Sequence, residues 1–88
     1  MVAVELVIHG RVQGVFYRDW TVRNARELGL AGWVRNDPDG TVSACLEGEE
    51  SAVEEMVGRM QSGPPTAKVE SIERRAVEPS RMKGFARR

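Results

Sequence analysis

The chain has 88 residues, 13 of them basic and 13 acidic, so its formal net charge is zero. Its length predicts one domain spanning residues 1–88, since typical domains contain about 50–250 residues. The balanced charge gives no reason to expect bulk attraction to nucleic acid or to an anionic membrane, although it leaves a local basic site open. Cys45 is the only cysteine and His9 the only histidine, which excludes an intrachain disulfide and the usual structural zinc site. We interpret both as ordinary strand residues rather than as a Cys–His nucleophilic pair.

The N-terminal residues and the hydropathy of the chain indicate its compartment. The first residues lack a basic region, and Glu5 interrupts their apolar run, which argues against a signal peptide. No apolar stretch approaches the roughly 20 residues needed to span a bilayer. We therefore expect a soluble, reduced, cytoplasmic protein.

The first half of the chain predicts three strands and a helix. Alternating side chains, with Val4, Leu6 and Ile8 on one face, indicate a strand with one buried face over residues 2–9, and glycines then introduce a short loop. Residues 17–28 are predicted as a helix that ends at a glycine. Strands over 30–36 and 41–47 flank the turn sequence Asp37-Pro38-Asp39-Gly40, which predicts a hairpin. The alternation of the second hairpin strand predicts inward side chains at Val42, Ala44 and Leu46 and outward side chains at Thr41, Ser43, Cys45 and Glu47.

The second helix has the clearest periodicity in the chain. Its apolar residues recur with the i, i+3, i+4, i+7 spacing of an amphipathic helix, at Val53, Met56, Val57 and Met60. Ser51 and Glu54 have the spacing of a capping box at its start. The segment Gly63-Pro64-Pro65 is expected to end it.

The last part of the chain predicts one long strand and one short one. The strand over residues 67–77 has a slip in its alternation between Val69 and Ile72, which indicates a bulge. Residues 84–87 are expected to add a short strand, with Arg87 and Arg88 forming a solvated tail. The resulting order, β-α-β-β-α-β, predicts a ferredoxin-like α+β sandwich in which two helices cover one face of an antiparallel sheet.

The loop between the first strand and the first helix is the most informative segment for function. It reads Gly10-Arg11-Val12-Gln13-Gly14-Val15-Phe16-Tyr17-Arg18. Its glycines allow a tight turn and a close approach of the backbone to a ligand. Free N–H groups at the following helix N-terminus, together with the forked guanidinium of Arg18, favour a bound phosphate. The alternative is a glycine-rich turn with a solvated arginine, and the properties of the loop weigh equally for both interpretations.

Two stretches of the chain resemble the signatures of the acylphosphatase family. The segment from Gly10 to Arg18 resembles the first signature residue for residue. Gly32-Trp33-Val34-Arg35-Asn36 resembles the start of the second signature, which continues at the family's spacing with Gly40, Val42 and Gly48. Gly63-Pro64-Pro65-Thr66-Ala67-Lys68-Val69 also resembles the family's usual third loop. The resemblance covers nearly the whole chain and agrees with the predicted order of elements.

The resemblance implies an enzyme that hydrolyses the carboxyl–phosphate bond of acyl phosphates. It implies that Arg18 binds the phosphate and that Asn36 positions the attacking water. It also implies that the phosphate is wrapped by the backbone amides of Gln13, Gly14, Val15, Phe16, Tyr17 and Arg18. Without the resemblance, Asn36 is better interpreted as the last residue of a strand, with a side chain that forms an Asx-type turn into Asp37-Pro38.

The expected chemistry involves neither a cofactor nor a metal. A carboxylate is a good leaving group, and phosphoryl transfer depends mostly on positioning and charge stabilisation. The expected partner is a small-molecule acyl phosphate, with inorganic phosphate or sulfate as competing anions. No nucleic acid or membrane partner is expected, and the chain is expected to be a monomer.

Two other functions fit parts of the sequence less well. Lys83-Gly84-Phe85-Ala86 matches the opening of the RNP1 pattern of RNA-binding modules, but it lies at the terminus rather than on the third strand. The outward positions of the third strand also carry no aromatic residue that could stack on a base. A non-catalytic anion sensor would retain the loop, but the presence of Asn36 in addition to Arg18 favours an enzyme.

Overall fold

The elements follow the predicted order, with shifts of one or two residues at their ends. The computed structural model describes all 88 residues, Met1–Arg88. The strands and helices are β1 (Val2–Arg11), α1 (Tyr17–Glu27), β2 (Ala31–Asn36), β3 (Val42–Gly48), α2 (Glu50–Ser62), β4 (Lys68–Val77) and β5 (Phe85–Arg87). Neither helix has the length and the apolar run that crossing a membrane requires.

The five strands form one mixed sheet in the order β4-β1-β3-β2-β5. β1 pairs antiparallel with β3 and β4, and β3 pairs antiparallel with β2. β5 pairs parallel with β2, so the expectation of a wholly antiparallel sheet is wrong at this edge. The chain leaves β4 at one edge, crosses the end of the sheet through residues 78–84 and returns beside β2. Since β4 and β2 run in opposite directions, a returning strand is necessarily parallel to β2.

The core lies between one face of the sheet and the two helices, and 18 buried residues form it. Its members on β1 and on the helices include Val4, Leu6, Ile8, Tyr17, Ala25, Val53, Met56, Val57 and Met60. The inward face predicted for β1 and the apolar face predicted for α2 are therefore confirmed. Because β1 and β2 run in the same direction on either side of β3, the loop after β1 and the end of β2 lie at the same end of the sheet.

The outward face of β3 is largely covered, so the prediction that its side chains face solvent is wrong. Thr41, Cys45 and Glu47 are only 8%, 5% and 2% exposed. Glu47 lies under the 78–84 segment, whose main chain donates two N–H bonds to its carboxylate. The Thr41 hydroxyl donates to the Asp37 carboxylate of the preceding turn, and burial raises the pKa of the Cys45 thiol. Strand alternation predicts which side chains share a face but does not show which remote segment lies over that face.

The N-terminus of α2 does not form the predicted capping box. Glu49 occupies the N-cap position and makes no side-chain cap bond. Glu54, the predicted partner of Ser51, instead forms an ion pair with Arg74 on β4. The hydrogen bonds from Arg74 lower the pKa of the Glu54 carboxyl, although slight burial opposes the shift. The carboxylate therefore pairs with a neighbouring strand, which local spacing does not indicate.

The predicted bulge in β4 is confirmed. The pairing of β1 with β4 shifts by one residue between His9 and Gly10, which leaves Glu70 as the extra residue. Gly10 has a φ of 127°, and a Cβ atom at this position would lie 2.2 Å from the Lys68 carbonyl oxygen. The first glycine of the loop signature is therefore required by the close approach of β4.

Candidate active site

The loop between β1 and α1 presents a row of unpaired main-chain N–H groups. Gly14 and Phe16 both have left-handed backbone conformations, with φ values of 72° and 63°. Phe16 is the N-cap residue of α1, and its side chain makes no cap bond. None of the main-chain N–H groups of residues 13–19 donates a hydrogen bond within the protein. Such a row at a helix N-terminus favours an anion, and phosphate is a common one.

Two side chains tie this loop to its neighbours. Gln13 Nε2 donates to the carbonyl oxygens of Asp37 and Thr41, both at 2.8 Å, which joins the loop to the β2–β3 turn. The Thr66 hydroxyl donates to the Val15 carbonyl oxygen at 2.7 Å. The signature indicates only a backbone role for Gln13 and no role for Thr66. These contacts join residues 24, 28 and 51 positions apart, so no local pattern could have predicted them.

Tyr17 belongs to the loop signature, but its side chain lies in the core. The residue is 1% exposed, and its hydroxyl donates to the Met60 carbonyl oxygen of α2 at 2.8 Å. Burial raises the pKa of this hydroxyl well above its ordinary value. The side chain therefore anchors the start of α1 on α2 and has almost no surface left for a ligand.

Arg18 and Asn36 line the same cavity, which has a volume of about 250 Å³. Arg18 lies in the first turn of α1, and Asn36 is the last residue of β2. The parallel direction of β1 and β2 brings these two positions to one end of the sheet. The other residues that line the cavity are Val12, Gly14, Phe16, Tyr17, Asp19 and Arg87. Four of the six predicted loop residues thus lie at the cavity, together with Asn36, whereas Gln13 and Val15 lie outside its lining.

The side chain of Asn36 has a polar atom without a partner. Its Oδ1 atom is buried and accepts no hydrogen bond. The turn after β2 uses Asp37 instead, whose carboxylate accepts bonds from the hydroxyls of Thr41 and Ser43. Although partial burial opposes it, hydrogen bonds from Ser43, Thr41 and Arg35 hold the pKa of Asp37 below its ordinary value. The Asx-turn interpretation of Asn36 therefore lacks its hydrogen bond, and the amide oxygen is left without a donor.

Arg87 and Arg88 are exposed, as predicted for a solvated tail, but they also make contacts beside the site. The main-chain oxygen of Arg88 accepts a hydrogen bond from Arg18 Nη1 at 3.0 Å. Arg87 forms an ion pair with Asp19 at 2.7 Å. The main-chain N–H of Arg88 also donates to the Val34 carbonyl oxygen at 2.8 Å. Pairing of β5 with β2 carries these residues to the start of α1.

A larger cavity of about 720 Å³ lies at the other end of the sheet, between the 82–86 segment, the start of β2 and the end of β3. Its buried acid is Glu47, whose two carboxylate oxygens are already occupied by the main-chain N–H groups of Ser80 and Met82. The smaller cavity has instead an arginine, an unpartnered amide oxygen and free N–H groups. No group of three His, Cys, Asp or Glu side chains that could hold a metal ion occurs in the chain. We therefore assign the candidate active site to the cavity at Arg18.

Several acylphosphatases are similar to this chain over almost their whole length. The family model described as Acylphosphatase matches residues 4–87. An acylphosphatase of Acidiphilium cryptum is 49% identical over 88 residues, which cover 100% of this chain and 97% of that protein. One of Thermococcus kodakarensis is 49% identical over 84 residues, which cover 96% of this chain and 92% of that protein. The crystal structure of acylphosphatase from Bacillus subtilis has a TM-score of 0.95 at 33% identity and covers 98% of this chain and 97% of that one. The chain therefore belongs to the acylphosphatase family of hydrolases, as its signatures predict.

Proposed function

We propose that this acylphosphatase, with residues 1–88 acting as one domain, cleaves the carboxyl–phosphate bond by direct attack of water on phosphorus. The oxygen of the water forms a bond to phosphorus while the bond between phosphorus and the acyl oxygen breaks. The acyl oxygen keeps the electron pair and leaves as part of a carboxylate. One acyl phosphate dianion and one water thus yield one carboxylate and one dihydrogen phosphate, which then exchanges its proton with solvent.

In this proposal, Arg18 and the loop amides hold the phosphoryl group. The N–H groups of residues 13–18 have no partner within the protein, so each is free to donate to a phosphate oxygen. One guanidinium nitrogen of Arg18 bonds to the main-chain oxygen of Arg88, which orients the fork and leaves its other N–H groups for the substrate. Donors that are already in place stabilise the charge on the equatorial oxygens without reorganising during the reaction.

The buried, unpartnered Oδ1 atom of Asn36 beside Arg18 is the observation that carries the proposal. A buried amide oxygen without a hydrogen bond is unfavourable unless a water or ligand supplies the donor. Asn36 lines the cavity that is proposed to hold the phosphoryl group, so a water bound to its amide would lie beside that group. The amide nitrogen of Asn36 can donate a second hydrogen bond to the same water or to the phosphoryl oxygens. Asn36 therefore orients the attacking water.

The remaining chemistry requires little from the protein. A carboxylate leaves readily, so the proposal includes no general acid, no metal and no cofactor. All the groups that it uses come from one chain, so a monomer suffices. Inorganic phosphate or sulfate would compete for the same N–H groups and for Arg18. Turnover that stops in a chelator and returns with a divalent cation would contradict the proposal.

Two variants separate binding of the phosphoryl group from orientation of the water. Asn36→Ala is expected to lower kcat by about 10²–10³ while leaving competitive inhibition by phosphate nearly unchanged, since the neutral amide acts mainly in the transition state. Arg18→Ala is expected to lower kcat/KM by about 10³ or more and also to weaken phosphate inhibition. Arg23→Ala, which removes an exposed arginine from the same helix, is the matched control and should leave both quantities unchanged.

The contrast between the variants tests the proposal. It is measured as release of phosphate from acetyl phosphate, with circular dichroism to verify folding. If Asn36→Ala abolished phosphate inhibition in a folded protein, Asn36 would be a phosphate ligand and the water-orienting role would be wrong. If Arg18→Ala retained normal activity, the site would lie elsewhere.

A further inference from the structure

Phe16 is the one apolar side chain of the Arg18 cavity that a ligand can contact. It is 74% exposed, whereas the other two apolar residues that line the cavity, Val12 and Tyr17, are each 1% exposed. Met1 is the only other large hydrophobic residue with comparable exposure in the chain. An apolar ring that remains in water beside a polar cavity is a candidate for contact with the apolar part of a ligand.

Neither the backbone nor the core explains a phenylalanine at this position. Phe16 has a φ of 63°, a conformation that glycine and asparagine adopt more readily than a bulky residue. As the N-cap of α1 it makes no cap bond, although serine, threonine, aspartate or asparagine would cap the helix. Its ring is neither a member of the core cluster nor packed against it. The ring therefore costs conformational free energy and contributes no packing that would offset it.

The composition of the cavity indicates what lies against this ring. With about 250 Å³, the cavity is smaller than typical small-molecule sites of about 300–1,000 Å³. Its polar lining comes from Gly14, Arg18, Asp19, Asn36 and Arg87. That lining suits the phosphoryl end of the substrate. Phe16 is then the exposed apolar side chain of the lining that remains for the acyl group.

We propose that Phe16 is a specificity-determining residue whose ring contacts the acyl group and thereby contributes to kcat/KM for acyl phosphates with aromatic or long aliphatic acyl groups but not for acetyl phosphate. This inference rests on the proposed function, because Arg18 and the loop amides determine where the phosphoryl group lies. The contact is apolar and persists while the phosphorus–oxygen bond breaks, so it raises kcat/KM for large acyl groups. Burial of one face of an aromatic acyl group against the ring corresponds to about tenfold in kcat/KM.

The test compares benzoyl phosphate with acetyl phosphate in two variants of one position. Phe16→Gly removes the ring, tolerates the left-handed backbone and brings no side chain that could cap the free N–H groups of α1. It is expected to lower the ratio of kcat/KM for benzoyl phosphate to kcat/KM for acetyl phosphate about tenfold. Phe16→Leu, which keeps an apolar side chain, should recover part of the lost preference.

The outcomes distinguish this inference from the proposed function. Equal losses for both substrates would show that Phe16 acts on the loop rather than on the acyl group, and would overturn the inference. Unchanged activity on both substrates would show that the ring does not contact the acyl group, and would overturn it as well. The proposed function would fail on a different observation, namely that Arg18→Ala and Asn36→Ala hydrolyse acetyl phosphate at the normal rate.

Discussion

Gln13 illustrates how one side chain connects the two parts of the site. Its amide nitrogen donates to the carbonyl oxygens of Asp37 and Thr41, which stand at the two ends of the turn that follows Asn36. The same residue belongs to the loop that presents free N–H groups. A displacement of this side chain would therefore move the loop relative to Asn36. Under the proposed mechanism, we infer that the Gln13 side chain is a positioning group rather than one that touches the reacting atoms.

Gln13→Ala is expected to lower kcat by about tenfold and the free energy of unfolding by about 1–2 kcal/mol, because the carbonyl oxygens of Asp37 and Thr41 each lose one of their two donors. The measurements are steady-state kinetics on acetyl phosphate and unfolding in urea. Gln61→Ala, at an exposed position near the end of α2, is the matched control. If Gln13→Ala lowered the free energy of unfolding but left kcat unchanged in an assay in which the variant is fully folded, the role of Gln13 would be purely structural.

At the scale of elements, the connection from β4 to β5 determines how the C-terminal residues reach the site. Glu47 at the end of β3 accepts N–H bonds from Ser80 and Met82 at 2.9 and 3.0 Å, and it is 2% exposed. The connection then leads into β5, whose pairing with β2 places Arg88 beside Arg18. A buried carboxylate at one end of the sheet therefore supports a contact at the other end.

Glu47→Gln is expected to lower the free energy of unfolding by about 1–3 kcal/mol, because the amide offers one acceptor where the carboxylate offers two. We also expect faster hydrogen exchange at the amides of Ser80 and Met82 and a loss of about threefold to tenfold in kcat/KM as the contact to Arg18 loosens. Glu78→Gln, an exposed change in the same segment, is the control. A loss of kcat/KM in Glu78→Gln without a loss in Glu47→Gln would contradict this coupling.

At the scale of the whole molecule, net charge says little about the anion site. Thirteen basic and thirteen acidic residues balance, and many of the charges are paired at the surface, as in the ion pairs of Arg59 with Glu27 and of Arg74 with Glu54. Such exposed pairs contribute little to stability individually. In the proposed function, the attraction for phosphate arises instead from local geometry, through oriented N–H groups and Arg18. Moderate changes in surface charge should therefore affect activity less than changes in the loop.

The stability of the fold should decrease in acid because native hydrogen bonds favour ionised carboxyls. The pKa of Asp37 is held below its ordinary value by bonds from Ser43, Thr41 and Arg35, which outweigh the opposing effect of burial. A carboxyl whose pKa is lower in the folded state adds stability at pH values above its unfolded pKa of about 4, and this stability is lost as the pH falls through the folded value. Urea unfolding between pH 6 and pH 2 measures the effect. Asp37→Asn should lower stability at pH 6 and flatten the acid limb, whereas an unchanged slope would exclude Asp37 as its source.

The sequence by itself determined the elements and indicated the two principal candidate site residues. Strand alternation, the helical spacing in α2 and the turn residues are local patterns, and they predict β1, α2 and the hairpin because backbone geometry repeats every two or 3.6 residues. The bulge in β4 is also visible as a slip of one position in that alternation. Arg18 and Asn36 could be predicted as site residues because each lies in a contiguous stretch that resembles a family signature.

Only the tertiary structure decided how distant segments lie against one another. The parallel pairing of β5, the burial of Glu47 and the contact between Arg18 and Arg88 join residues that are 33 to 70 positions apart, and no local periodicity encodes such pairs. The same holds for the free Oδ1 atom of Asn36 and for the exposed ring of Phe16, since exposure and hydrogen-bond satisfaction are properties of the packed molecule. Local propensity selects the elements, whereas burial of their apolar faces against each other selects the arrangement that creates the site.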